Sequence, residues 1–145
     1  MSTLFPTGYG YVFGVLGGSF FMNIYLTINV ALARRKYDVK YPALYAPVGH
    51  KHEVAFNCVQ RAHQQTLESF SYVMLLTAVN GLVYPLTAAG CGAVYCVGKV
   101  IYGYGYATGG PEGRQIGGAI SHLGDFPLVI MSLKIAYDMI VADKR

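Results

Sequence analysis

The chain alternates long apolar stretches with short polar segments. Four of these stretches, at about 9–35, 53–83, 86–108 and 115–141, are long enough to cross the roughly 30 Å hydrocarbon core of a bilayer. Because a strand in hydrocarbon would leave backbone groups without hydrogen-bond partners, each stretch is predicted to be a helix. The pattern therefore predicts an all-α integral membrane protein, a single domain built as a bundle of four transmembrane helices.

A polar stripe interrupts the second of these stretches. At about 100° per residue on a helix, Asn57, Arg61, Gln64 and Glu68 point in nearly the same direction. A charged side chain in hydrocarbon is energetically costly, so such a stripe faces a bundle interior or a water-filled cavity and is a candidate functional site. An arginine and a glutamate beside amide side chains are a suitable lining for a small zwitterionic ligand.

A second stripe with similar spacing runs along the third stretch. Its members are Tyr95, Lys99, Tyr102 and Tyr106. The Gly-Gly-Pro run at 109–111 then predicts a break, with Arg114 at the start of the fourth helix. Two helices therefore each present cationic and hydrogen-bonding groups on one face.

Charge indicates how the chain is oriented. Charged residues make up only 12% of the 145 residues, about half the share of an ordinary soluble domain. The segment 34–53 holds five cations and two acids, a net of 5 − 2 = +3. Short basic loops stay in the cytosol, so the first and third loops of this multi-pass protein are predicted to be cytosolic. The net charge of +4 thus reflects topology, and no nucleic-acid partner is expected.

Several kinds of chemistry find no support in the sequence. The three cysteines, Cys58, Cys91 and Cys96, are an odd number inside predicted spans, so reduced, packed thiols are expected. The His52-Glu53 pair lacks the second histidine of a zinc-protease motif, so no metal is expected. The first helix lacks the basic flank of a signal peptide and is predicted to be retained.

The motifs on the second and third helices resemble those of a known family. Arg61-Ala-His-Gln-Gln-Thr-Leu-Glu68, then Val100-Ile-Tyr-Gly-Tyr-Gly-Tyr106 and Arg114, are similar to the membrane-associated proteins in eicosanoid and glutathione metabolism, the MAPEG family, and most closely to its type 3 microsomal glutathione transferase group. The resemblance extends over nearly the whole chain. It implies a homotrimer of four-helix subunits in the endoplasmic reticulum membrane, with glutathione bound between neighbouring subunits near the cytosolic face.

The resemblance also implies roles for individual residues. The implied glutathione-binding residues are Arg34, Arg61, His63, Gln65, Glu68, Lys99 and Tyr106. Of these, Arg34 and His63 are expected from the neighbouring subunit, although Arg34 could instead serve only as a topology determinant. Arg114 is implied as the catalytic residue that activates the thiol, and Tyr102 as a hydrogen-bond donor to the sulfur or a guide for the ligand. Ser71 stands where many members have a proline, which leaves the family kink of helix 2 open.

The implied reaction is thiolate attack on a lipophilic electrophile or on a lipid hydroperoxide. A thiol with a pKa near 8.5 is only slightly ionised at neutral pH, and a nearby cation lowers that pKa by roughly 1–3 units. The expected partners are glutathione as substrate, lipophilic electrophiles or lipid hydroperoxides, membrane lipids and two further copies of the chain. The alternatives are a non-catalytic lipid-binding scaffold like the lipoxygenase-activating protein, a transporter or channel, and a purely structural membrane protein.

Overall fold

The computed structural model describes residues 4–143, which form four long helices. These are α1 (Tyr9–Tyr37), α2 (Glu53–Gly81), α3 (Pro85–Gly113) and α4 (Gln115–Ala142). The predicted all-helical architecture of four helices is confirmed. By length and composition α1 and α3 qualify as candidate membrane spans, whereas α2 carries the polar stripe and α4 contains several charged residues.

Close helix contacts hold α3 against α4. A Cβ atom added at Gly117 would lie 2.1 Å from the backbone nitrogen of Tyr102, and one added at Gly98 would lie 2.4 Å from that of Ser121. Only glycine allows two helix backbones to approach this closely, which is a common device in membrane bundles. The contact fixes the backbone of Tyr102, a predicted site residue, against α4.

The third helix is interrupted near its end by a glycine and a proline. At Gly110 the backbone of α3 leaves helical geometry, with φ 65° and ψ −155°, and Pro111 follows. The chain then turns through Arg114 into α4. By contrast, α2 is a continuous helix through Ser71. The predicted break at 109–111 therefore becomes a kink that places Arg114 beside the end of α3.

The outer surface of the bundle is apolar. Large side chains on all four helices are exposed, among them Phe21 on α1, Leu75 on α2, Val97 on α3 and Leu133 on α4. The core between the helices is built around Val73, Ala88, Tyr95 and Leu128, each of which is fully or almost fully buried. An apolar surface around a small core suits a protein whose helices face lipid.

Candidate functional site

Five of the predicted site residues, here called the open cluster, form two contacting groups that meet at one cavity, which Arg61 and Tyr106 line together. Its members are Arg61, Glu68, Tyr102, Tyr106 and Arg114. Arg61 Nη1 donates to Glu68 Oε1 at 2.7 Å. The rings of Tyr102 and Tyr106 meet edge to face with centres 5.5 Å apart. The guanidinium carbon of Arg114 lies 5.6 Å from the centre of the Tyr106 ring. Residues from α2, α3 and the α3–α4 junction are thus brought together.

The open cluster borders a cavity at the start of α2. Arg61 and Tyr106 line a cavity of about 310 Å³ together with Tyr45, Glu53, Val54, Asn57 and Cys58. A larger cavity of about 640 Å³ lies next to it and shares Glu53, Val54, Cys58 and Tyr106. The two cavities together, here called the first-loop groove, run between the first loop, the beginning of α2 and the end of α3.

The ion pair in the open cluster is accessible. The side chains of Arg61 and Glu68 are 43% and 48% exposed. An exposed ion pair contributes only about 0–1 kcal/mol to stability, so its two charges can be separated by a ligand at little cost. The pair is therefore not sealed in a waterless core, and both charges are free to meet the opposite charges of a zwitterion.

Arg114 supplies a second cation to the open cluster. It is exposed and lies just beyond the kink at Gly110. The neighbouring Tyr102 and Tyr106 hydroxyls raise the pKa of the Arg114 guanidinium above its already high ordinary value. Arg114 is a permanent cation next to these tyrosines, a suitable arrangement for holding a negative charge beside them.

Two other predicted residues, Gln65 and Lys99, belong to a different group, here called the sealed cluster. Lys99 is 1% exposed, and its Nζ donates to Gln65 Oε1 at 2.6 Å. It also lies 5.3 Å from the ring centres of both Tyr95 and Tyr102. Next to it, the hydroxyls of Ser69 and Tyr95 are hydrogen bonded at 2.7 Å.

Lys99 and Gln65 do not border the first-loop groove. A buried ammonium group needs a polar partner, and the half-buried Gln65 supplies one to Lys99. The resemblance implied a glutathione-binding role for these two residues, and that role remains a prediction. Their position gives them a role inside the subunit, in joining α2 to α3.

Arg34 forms its hydrogen bonds with the first loop of its own subunit. It is largely buried, and its guanidinium donates to the carbonyl oxygens of Ala43 at 2.8 Å and of Val39 and Leu44 at 3.4 Å each. The ring of Tyr41 lies 4.3 Å from the guanidinium carbon. These hydrogen bonds hold the first loop of the same subunit, and a contribution of Arg34 to a neighbour's site remains a prediction.

His63 lies on the face that α2 presents to α1. Its Nε2 is 3.4 Å from Thr27 Oγ1, and it is half-buried there. It does not line the first-loop groove of its own subunit. A contribution of His63 to a neighbouring subunit's site remains a prediction.

Tyr45 is a cavity-lining residue that the sequence did not identify, whereas Asn57, which lines the same cavity, belongs to the predicted polar stripe. Tyr45 lines the same cavity as Arg61, and the loop around it is fastened at two points. Asn57 Oδ1 accepts a hydrogen bond from Ala46 N at 2.8 Å, and Glu53 Oε2 accepts one from Gly49 N at 2.8 Å. The position of Asn57 on the polar stripe was a signal for its contact with the loop, whereas nothing local marked Tyr45.

Two comparisons with known proteins bear on the family of the chain. The MAPEG family pattern matches residues 12–134. An uncharacterized protein of Synechocystis sp. is 33% identical over 109 residues, which cover 74% of this chain and 74% of that protein. The chain belongs to the MAPEG family. It is accordingly a membrane protein with a role related to glutathione or lipid metabolism, and its particular closeness to the type 3 group remains a prediction.

Proposed function

We propose that this protein is a membrane-bound glutathione transferase with glutathione-dependent peroxidase activity. The observation that carries the proposal is the open cluster, in which Arg61 and Tyr106 line a water-accessible cavity and Arg114 stands over Tyr106. Two cations, an acid and two tyrosines from separate segments meet there. These are the groups that a zwitterionic thiol requires.

Glutathione carries two carboxylates, one ammonium group and a thiol. Arg61 binds one carboxylate through charge-assisted hydrogen bonds, and Glu68, released from Arg61, binds the ammonium group. Tyr45 and Tyr106 form walls of the cavity. Binding then replaces a weak surface ion pair with two ligand contacts, which favours the complex.

The open cluster also supports the proposal of a homotrimer. Arg61 and Glu68 are half-exposed on the surface of a single subunit, although they lie on a helix of a membrane bundle. Charged groups at membrane depth face protein or water rather than lipid, so a neighbouring subunit covering this face would enclose the ligand. In this arrangement His63 is available to the neighbour, whereas Arg34 holds the loop.

Arg114 and Tyr102 act on the sulfur. The Arg114 cation lowers the thiol pKa by roughly 1–3 units, which increases the thiolate fraction at neutral pH. The Tyr102 hydroxyl donates a hydrogen bond to the sulfur or guides the ligand. The thiolate then attacks the electrophilic carbon of an apolar substrate that arrives from the bilayer. A thioether forms as the bond to the substrate's leaving group breaks and that group departs with the electron pair, or, with an activated alkene, as the π electrons shift to the neighbouring carbon, which takes up a proton.

With a hydroperoxide, the same thiolate attacks the terminal peroxide oxygen. The O–O bond breaks, the departing alkoxide takes a proton to become an alcohol, and glutathione sulfenic acid remains. A second glutathione converts the sulfenic acid into glutathione disulfide and water.

We assign the protein to the endoplasmic reticulum membrane, the location that the family resemblance implies. The basic first loop and the third loop then face the cytosol, as the positive-inside rule suggests.

The test compares glutathione with S-methylglutathione on the purified protein in detergent. Both ligands should raise the melting temperature, because both carry the carboxylates and the ammonium group. Only glutathione should produce the ultraviolet absorbance of a thiolate. Thermal stabilisation without thiolate would support the non-catalytic scaffold instead, and no effect of either ligand would remove the basis of the proposal.

A further inference from the structure

A second large groove lies outside the open cluster, between α1 and α3. Its upper part has a volume of about 710 Å³. One end is lined by the cations Arg35 and Lys36 with the polar side chains of Asn29 and Thr108. The remaining lining is aromatic and apolar: Tyr25, Leu32, Ala33, Tyr37, Val59, Tyr104 and Ala107. The groove thus has a charged end and an apolar body.

An apolar cavity of about 450 Å³ continues this groove along the same two helices. The two cavities share Tyr25, and the further lining residues are Gly18, Phe21, Met22, Cys96, Val97, Val100 and Ile101. Gly18 and Arg35 are 35 − 18 = 17 residues apart on α1, which is about 25 Å along the helix. One leaflet accounts for about half of the roughly 30 Å hydrocarbon core. The groove is therefore long enough for one acyl chain and the phosphate above it.

The charges at the upper end have no acid to neutralise them. Three ion pairs occur within residues 4–143: Arg61 with Glu68, His122 with Asp125 and Lys134 with Asp138. Arg35 and Lys36 are exposed, belong to none of these pairs, and line a groove without an acidic residue. The contrast with neighbouring Arg34, whose guanidinium donates to loop carbonyls, is direct. Two unneutralised cations above an apolar channel complement an anionic amphiphile.

We propose that the groove between α1 and α3 binds one anionic phospholipid, with its phosphate at Arg35 and Lys36 and one acyl chain running down to Gly18. Arginine holds a phosphate oxygen pair with its planar fork, and lysine adds a point charge. Basic pockets between membrane helices are known to hold anionic headgroups. The proposal is independent of glutathione chemistry. The upper end of this groove adjoins the cavity of about 640 Å³ described above, and the two share Tyr37, Ala107 and Thr108.

The test measures binding of phosphatidylserine and of phosphatidylcholine with the same acyl chains to the purified protein in detergent. Native mass spectrometry counts bound lipid, and melting curves report the stabilisation. Phosphatidylserine should bind in a ratio of one per subunit and raise the melting temperature, whereas phosphatidylcholine should bind more weakly. Equal binding of both lipids would overturn the proposal.

Two pairs of variants locate the site. The Arg35→Gln/Lys36→Gln variant should weaken phosphatidylserine binding roughly 30-fold, since each cation near an anionic headgroup contributes about fivefold. Its control, Lys40→Gln/Lys51→Gln, removes the same charge from residues outside the groove lining. Equal weakening by both variants would show general surface attraction and contradict the proposal.

The apolar end is tested by filling it. A Cβ atom at Gly18 or at Gly17 meets no other atom within 4 Å, but only Gly18 lines the groove. Gly18→Leu should abolish acyl-chain binding, and Gly17→Leu should preserve it.

Inorganic phosphate and oleate are tested in the same melting assay. If either raises the melting temperature as much as phosphatidylserine does, the ligand is a free anion or a fatty acid, and the proposal is overturned. Because glutathione binding is measured separately, failure here leaves the proposed enzyme activity intact.

Discussion

The open cluster and the sealed cluster use similar side chains for different purposes. Arg61 and Gln65 are four residues apart on α2, and each faces α3. Arg61 is half-exposed and pairs with an equally accessible Glu68, whereas Gln65 is joined to the buried Lys99 at 2.6 Å. Access to water, rather than residue type, separates the polar groups that can bind a ligand from those that hold helices together.

The difference arises from what lies opposite each residue on α3. Lys99 and Tyr106 are seven residues apart, or about 10 Å along the helix. At the level of Lys99 the two helices enclose their polar groups. At the level of Tyr106 a cavity separates α3 from the first loop and the start of α2. One pair of helices therefore supplies both a structural network and a binding surface.

The largest expected effect comes from removing the cation assigned to the sulfur. Arg114→Ala should lower turnover at neutral pH roughly 10-fold or more, because the bound thiol's pKa would rise by about 1–3 units. Since removal of the cation disfavours the thiolate, turnover should recover as pH rises above the new thiol pKa. A pH–rate profile with glutathione affinity measured in parallel tests this. An unchanged profile would move thiol activation away from Arg114.

A smaller effect is expected from the binding cation of the open cluster. Arg61→Ala should weaken glutathione binding roughly 10- to 100-fold, the usual loss of a charge-assisted contact, with little change in melting temperature. Calorimetric titration measures the affinity. Lys134→Ala is a matched control, because it also removes one member of an exposed ion pair but lies on α4 away from the cluster. Equal glutathione affinities of the two variants would contradict the assignment of Arg61 to ligand binding.

Substitutions in the sealed cluster should change the stability of the protein rather than its affinity for glutathione. Lys99→Met leaves the Gln65 carbonyl oxygen without its donor and should cost about 1–3 kcal/mol of stability. The double variant Lys99→Met/Gln65→Leu should recover part of this loss, because no unpaired polar group then remains. Thermal melts and glutathione titration of both variants separate the two readouts. A large loss of glutathione affinity at unchanged stability would return Lys99 to the binding site.

The smallest effect is expected from the first loop. Asn57→Ala removes the acceptor for Ala46 N and should loosen the segment that carries Tyr45. A neutral hydrogen bond contributes about 1 kcal/mol, so glutathione affinity should fall no more than about fivefold. Faster hydrogen exchange at the Ala46 amide would confirm the loosening. Unchanged exchange would show that Arg34 and Glu53 hold the loop without Asn57.

Much of the architecture was already determined by local pattern. The four apolar stretches, the break at 109–111 and the basic first loop follow from hydropathy, backbone geometry and charge, each of which depends on residues close together in the chain. The helical period also placed Arg61 and Glu68 on one stripe before any packing was known, and the structure joins them at 2.7 Å. These properties need no information about which helices meet.

Only the tertiary structure decided which polar groups remain free. Arg34 and Arg35 are adjacent and chemically identical, yet one is largely buried among loop carbonyls and the other is exposed in a groove. Likewise, Lys99 is sealed, while Tyr45, on a loop without helical period, lines the cavity beside Arg61. Helix rotation, helix crossing and loop course determine these outcomes, because burial of a side chain depends on distant segments of the chain that local periodicity does not specify.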